Sequence, residues 1–188
     1  RLDTNKGWIG FLQGNDPNYP ESALRADFSR VRLQMEKVRM DPTTPDTRLS
    51  DNPNPFNPAT PGTLLQQMTG GLTPRHGCPL HSRVRYFDPN KQRPGIPEGV
   101  GALVEELKAN SMKLQLVNTD PVNAKDLIVQ SGAYGEHSFS TVKIEDNEQP
   151  IEENSFGVHL APGSGATLEI EMQRYVNPTS FKFPWHSR

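Results

Sequence analysis

From Glu21 to Arg39 the apolar residues Leu24, Phe28, Val31, Met35 and Val38 recur at spacings of 4, 3, 4 and 3. That spacing predicts an amphipathic helix with one apolar seam and charges elsewhere. Pro20 stands at its first turn, where a missing N–H costs nothing. The seam reads first as core packing and second as a coiled-coil dimer, since about two and a half heptads are fewer than a free coiled coil needs. A second helix is expected after Thr60-Pro61, with Leu64, Leu65 and Met68 on one face and Gly70-Gly71 as its stop. Arg83–Phe87 alternates as a strand. Pro97 is expected to open a short helix in which Val100, Leu103, Val104 and Leu107 share a face.

From Met112 onward the period changes to two. Leu114 and Leu116 alternate, then Leu127 and Val129, then Ser140, Val142 and Ile144, then Phe156, Val158 and Leu160, then Leu168, Ile170 and Met172. Turn residues fall at 118–121, 132–135, 147–150 and 162–165. Strands at this spacing, joined by Gly, Pro, Asn and Asp, predict an antiparallel β-sandwich. The acidic stretch Glu145–Glu153 reads as a solvated loop. Phe181, Phe183 and Trp185 alternate again in the tail, which is expected to dock on the sheet or on a partner. Residues 1–19 show no clear period, and Trp8, Ile9, Phe11 and Leu12 read as a segment tucked against something.

The fold class expected is therefore α+β and mainly β: a C-terminal antiparallel β-sandwich over 111–188, preceded by a few helices and extended straps over 1–110. The strap proper is 41–62, where Pro42, Pro45, Pro53, Pro55, Pro58 and Pro61 forbid regular helix. Leu49 and Phe56 are its expected anchors.

Composition supports a chain that leans on a neighbour. Hydrophobic residues make up only 33%, and 18 of the 188 residues are proline. So polar a chain builds a modest core and leaves long stretches irregular unless another surface covers them. Net charge is −2. Residues 1–95 carry 13 Lys/Arg against 9 Asp/Glu, and residues 96–188 carry 7 against 13. The basic half alternates its arginines with acids along the first helix, which suits a solvated or partner-facing surface rather than nucleic acid. One cysteine, Cys78, excludes an internal disulfide. No apolar run is long enough to span a membrane, and no signal-peptide pattern is recognised. The first residue, Arg1, is not Met, which raises the expectation of a processed fragment or a piece of a longer polypeptide. Nothing here separates a cytoplasmic from a secreted location.

The densest chemistry is Arg75-His76-Gly77-Cys78-Pro79-Leu80-His81. His76, Cys78 and His81 are zinc-type ligands, but a structural zinc site takes four, and no second cysteine or close histidine pair is at hand. Cys78 with His76 or His81 could also form a nucleophile–base pair, although no oxyanion hole is recognisable. Arg75 and the histidines of this punctuated loop suit contact with substrate in a shared active site. Ser131–His137 is the second cluster, where Tyr134, Glu136 and His137 could project from a glycine turn toward a ligand such as a sugar. An ordinary hairpin turn is the competing reading. No P-loop, dinucleotide fingerprint, HExxH or GxSxG motif is present. No cofactor is expected.

The strand ending Leu116-Val117-Asn118, the turn with Pro121, and the last hairpin Ala161-Pro162-Gly163-Ser164-Gly165 before Leu168 carry a resemblance. Over Met112–Met172, about a third of the chain, it resembles the C-terminal all-β domains that follow the catalytic domain in many bacterial carbohydrate-active enzymes. The resemblance implies packing against a catalytic domain and a structural role. The expected function is a small subunit or processed C-terminal fragment of a larger bacterial enzyme, partnered by a larger chain. Alternatives are an independent carbohydrate-binding module using Tyr134, Trp8 or Trp185, and a small Cys/His hydrolase.

Overall fold

A computed structural model describes residues 4–44, 57–72 and 80–186. The chain falls into two compact units, 1–64 and 65–188. In the first, helix α1 (Thr4–Leu12) turns into helix α2 (Tyr19–Met40). Trp8 is buried, stacked on Phe11 at 5.6 Å between ring centroids and tilted against Tyr19 at 6.4 Å. Gly7 makes this contact possible, since a Cβ there would lie 2.5 Å from the Tyr19 ring. The same glycine and Gly10 explain why no helix was expected over α1, because both are poor helix formers.

The seam of α2 corrects the core-packing expectation. Of its 22 residues only Tyr19 is buried. Phe28 is 64% exposed, Val38 43% and Met35 37%. The expected strap anchors Leu49 and Phe56 lie outside the described residues.

Helix α3 is Gly62–Thr69, and from Leu65 on it belongs to the second unit. The buried Tyr86 hydroxyl donates to the Met68 carbonyl at 2.5 Å, and Arg83 N–H donates to Thr69 O at 2.7 Å. Nine strands follow among the described residues: β1 (Val84–Asp88), β2 (Arg93–Pro94), β3 (Val100–Leu107), β4 (Ser111–Asn118), β5 (Lys125–Ser131), β6 (Ser138–Ile144), β7 (Asn147–Pro150), β8 (Ser155–Leu160) and β9 (Gly165–Gln173). They form two antiparallel sheets, ordered β2-β1-β5-β8 and β3-β4-β9-β6-β7. Strands β1 to β3 precede residue 111, so the sheets take in chain on both sides of the boundary expected there.

The core lies between the sheets. Along β9 exposure and burial alternate, with Leu168, Ile170 and Met172 buried and Glu169 and Glu171 outside. Met112, Leu114 and Leu116 of β4 share that inner face, opposite Leu127 and Val129 of β5 and Val158 and Leu160 of β8. Phe139 of one sheet meets Phe156 of the other edge-on at 4.9 Å. Phe87 points to the outer side of its sheet and is buried there by the tail, with Phe183 and Trp185 edge-on at 6.2 and 5.8 Å. Docking of the tail on the sheet is thus observed.

Three local expectations change. The segment after Pro97 is strand β3, not helix. Its register shifts between Val104 and Glu106, a bulge that brings Leu107 onto the side of Val100 and Val104. Alternation plus one bulge gives spacings of 4 and 3, the same as a helical face. A like shift between Phe139 and Thr141 leaves Phe139 and Val142 inside and places Ser140 in the irregularity. The acidic loop is instead the hairpin β6–β7, turning at Glu145-Asp146 and ending in an exposed edge strand.

One buried carboxamide joins the sheets at their end. Asn118 Nδ2 donates to the carbonyls of Asn123 at 2.8 Å, Ala161 at 3.0 Å and Leu160 at 3.4 Å, and its Oδ1 accepts from Asp120 N–H at 3.0 Å. Asn118→Ala removes these bonds at a buried position and is expected to cost about 1–3 kcal/mol. Urea unfolding of the whole chain should show a lower midpoint with an unchanged m-value.

Candidate functional site

Strand β5 ends at Ser131, and the chain then makes the Gly132–His137 loop before β6. Gly132 has φ +77°, and a Cβ there would collide with the Glu136 carboxylate at 2.4 Å. That close approach serves the turn itself. Glu136 Oε2 accepts Tyr134 N–H at 2.7 Å and Oε1 accepts Ala133 N–H at 3.3 Å. His137 is buried, and its carbonyl accepts the Ser131 hydroxyl at 2.6 Å and the Asn177 side-chain amide at 2.7 Å. The Tyr175 backbone N–H donates to His137 Nδ1 at 3.0 Å, and the two rings meet edge-on at 4.7 Å. Tyr134 accepts Ser180 N–H at its carbonyl (2.8 Å) and packs its half-buried ring against Phe181 at 5.4 Å.

The structure therefore brings Tyr134, Glu136 and His137 together. It also commits the Glu136 carboxylate, His137 Nδ1 and the main chain of the loop to the turn and to the segment after β9, while the Tyr134 hydroxyl makes no hydrogen bond among the described residues. Tyr175, itself at φ +57°, and Asn177 complete this junction and were not anticipated. Nothing in their local pattern distinguishes them from other loop residues.

Burial pushes the His137 imidazole below its usual pKa. Glu136 works against that, while Arg83 and Arg174 reinforce it. The neutral ring is the form that accepts from Tyr175, since a protonated Nδ1 would be a donor facing a donor.

Of the other loop, His81 is exposed, and Arg75, His76 and Cys78 lie outside the described residues. The backbone on either side of the loop is tightly juxtaposed: a Cβ on Gly71 would lie 2.1 Å from the His81 carbonyl oxygen. Only glycine fits there. Among the described residues no group of three or more His, Cys, Asp or Glu could hold a metal ion.

Sequence reasoning passed over one further pair. His159 Nδ1 lies 2.7 Å from Asp126 Oδ1, across the β5–β8 register and largely in water. The hydrogen bond from His159 pulls the Asp126 carboxyl down. A cross-strand hydrogen bond on an open sheet face needs no catalytic explanation. On the outer face of the five-stranded sheet, Lys113, Gln115, Lys143, Thr167 and Glu169 line a shallow open groove. Its charges are paired or solvated, as in Lys113 Nζ–Glu105 at 3.3 Å. No aromatic ring lines it, so it offers no platform for stacking a sugar.

What remains is the seam of α2, where large apolar side chains stand in water along one helical face. No family model, curated protein or solved structure matches this chain. The chemistry of its own surfaces must carry the functional reading.

The His137 junction predicts a pH dependence. A folded pKa below the ordinary value near 6.5 means the unfolded chain binds the proton more readily. The contribution is complete above about pH 6.5 and is lost as pH falls from there toward the depressed folded pKa. Thermal melts between pH 7.5 and 5 should show the wild-type Tm falling on acidification. His137→Gln should be less stable at neutral pH and should lose that part of the slope.

Proposed function

We propose that this chain is a structural and interface component of a larger enzyme assembly, of the carbohydrate-active kind whose C-terminal all-β domains it resembles. The observation that carries the reading is α2. A helix of 22 residues with one buried side chain draws little stability from the packing within its own unit. Helices in proteins owe most of their stability to packing of an apolar face. A run of exposed Phe, Met and Val along that face marks an interaction surface. The proline-punctuated segment 41–62 fits the same role as a strap, and the His76–His81 loop is the part we assign to a shared active site.

A binding module for carbohydrate is the second reading, favoured by one observation. Trp185 is half-buried and stacked on Phe183 at 5.1 Å, leaving part of an aromatic platform on the outer face of the sheet. Trp8 is buried, and the half-buried Tyr134 ring meets Phe181 edge-on.

Native mass spectrometry of the material isolated from its source separates the two. The assembly reading expects a second, larger chain in fixed ratio with the 21.0 kDa chain. A lone 21.0 kDa species that binds polysaccharide would overturn it in favour of the module.

A further inference from the structure

The charges beside the α2 seam describe what it meets. Arg25, Arg32 and Arg39 are seven residues apart, so they stack along one flank of the seam. The opposite flank holds Asp27 and Gln34. Arg25 is tied to Glu21 by an i,i+4 ion pair. Arg32 and Arg39 make no ion pair among the described residues, although Glu36 lies within helical reach of both. Two guanidinium groups with no ion pair among the described residues thus border an apolar stripe made by Phe28, Val31, Met35 and Val38.

We infer that α2 seats in an apolar groove of a different protein chain, with a carboxylate-rich wall along the arginine flank. This rests on the assembly reading above and names the contact within it. Helix-in-groove recognition uses anchors three and four residues apart on one face, and these side chains follow at steps of 3, 4 and 3. A guanidinium fork is suited to bidentate pairing with a carboxylate at the edge of such a groove.

Two other occupants fit less well. A second copy packed antiparallel would set Arg32 against Arg32. Packed in parallel it would satisfy only Asp27 with Arg32, and would place Val31 and Val38 in layers where parallel dimers favour Leu. An anionic lipid surface would meet Glu21, Asp27 and Glu36 along with the basic residues, and the apolar stripe is one to two side chains wide.

The test uses the full chain with a photo-crosslinking residue in place of Phe28, and a control with the same residue in place of Gln115 on the outer sheet face. The chain found at fixed ratio by native mass is purified, and its affinity is measured for wild type, Arg32→Glu/Arg39→Glu and Arg32→Lys/Arg39→Lys. Anionic vesicles (phosphatidylserine in phosphatidylcholine) are run in parallel. Circular dichroism confirms that each variant keeps its helix. The expected result is cross-linking from position 28 and not from 115. Charge reversal should weaken binding by about tenfold or more, the lysine variant by less, and added salt should reduce the difference.

Cross-linking to a second copy overturns the inference, as does vesicle binding that depends on Phe28. A partner that cross-links only from position 115, or binds equally well after charge reversal, overturns the α2 contact and leaves the assembly reading standing. Absence of any larger chain removes both.

Discussion

Burial of Leu114, Leu168 and Ile170 against Leu127 and Val129 sets the register of the strands in both sheets. Side chains alternate along a strand, so a slip of one residue would turn all of these to water. The two bulges are consequences of the same constraint. At Glu105 and at Ser140 the chain takes an extra residue and re-phases, so that Leu107 and Val142 return to the inner side. The outer face of the five-stranded sheet is then left mainly to Lys, Glu, Gln and Thr, which explains why the groove there is charged and shallow.

Closing the ends of such a sandwich raises a different problem, because loops carry backbone groups that must be satisfied when covered. Asn118 solves it at one end by donating to carbonyls of two other segments. At the other loop cluster Glu136 caps its own turn, and Asn177 and Tyr175 fasten the chain after β9 to His137. Beyond this junction the tail lays Phe183 and Trp185 over Phe87, which would otherwise be a large apolar ring on an open face. Residues with the composition of a binding site are here bonded to one another. A loop rich in Gly, Tyr, Glu and His serves ligand contact or chain anchoring with the same side chains, and only geometry separates the two.

That is why legibility in the sequence was uneven. Strands β4, β5, β8 and β9 were readable because their inward apolar residues recur at every second position and turn residues bound them. Strand β3 was not, since its bulge mimics helical spacing, and α1 was not, since glycines at 7 and 10 hide its period. The helix α2 was readable as an element, but amphipathicity reports which face is apolar and not what covers it. The cluster 131–137 was visible as a concentration of chemistry. Its partners Tyr175 and Asn177 were not, because they lie about 40 residues away and each of these bonds pairs one side chain with a main-chain atom that any residue type carries.

The two units stand in opposite energetic positions. Residues 65–188 enclose a core between paired sheets and satisfy the loops that seal it. The described part of residues 1–64 has Trp8 and Tyr19 as its buried apolar side chains, and beyond them α2 continues for five turns with its seam in water. Burying an exposed Phe or Met side chain is worth roughly 1.5–3 kcal/mol, so covering Phe28, Met35 and their neighbours would contribute more than the helix gains from its contact with α1. In the assembly we propose, binding and ordering of α2 would be one process, and its free energy would belong to the complex. A surface of that kind tolerates polar substitution in the isolated chain, where the seam is already wet, and would lose affinity only in the presence of such a partner. Selection on Phe28 and Met35 would then act through the assembly and not through the fold.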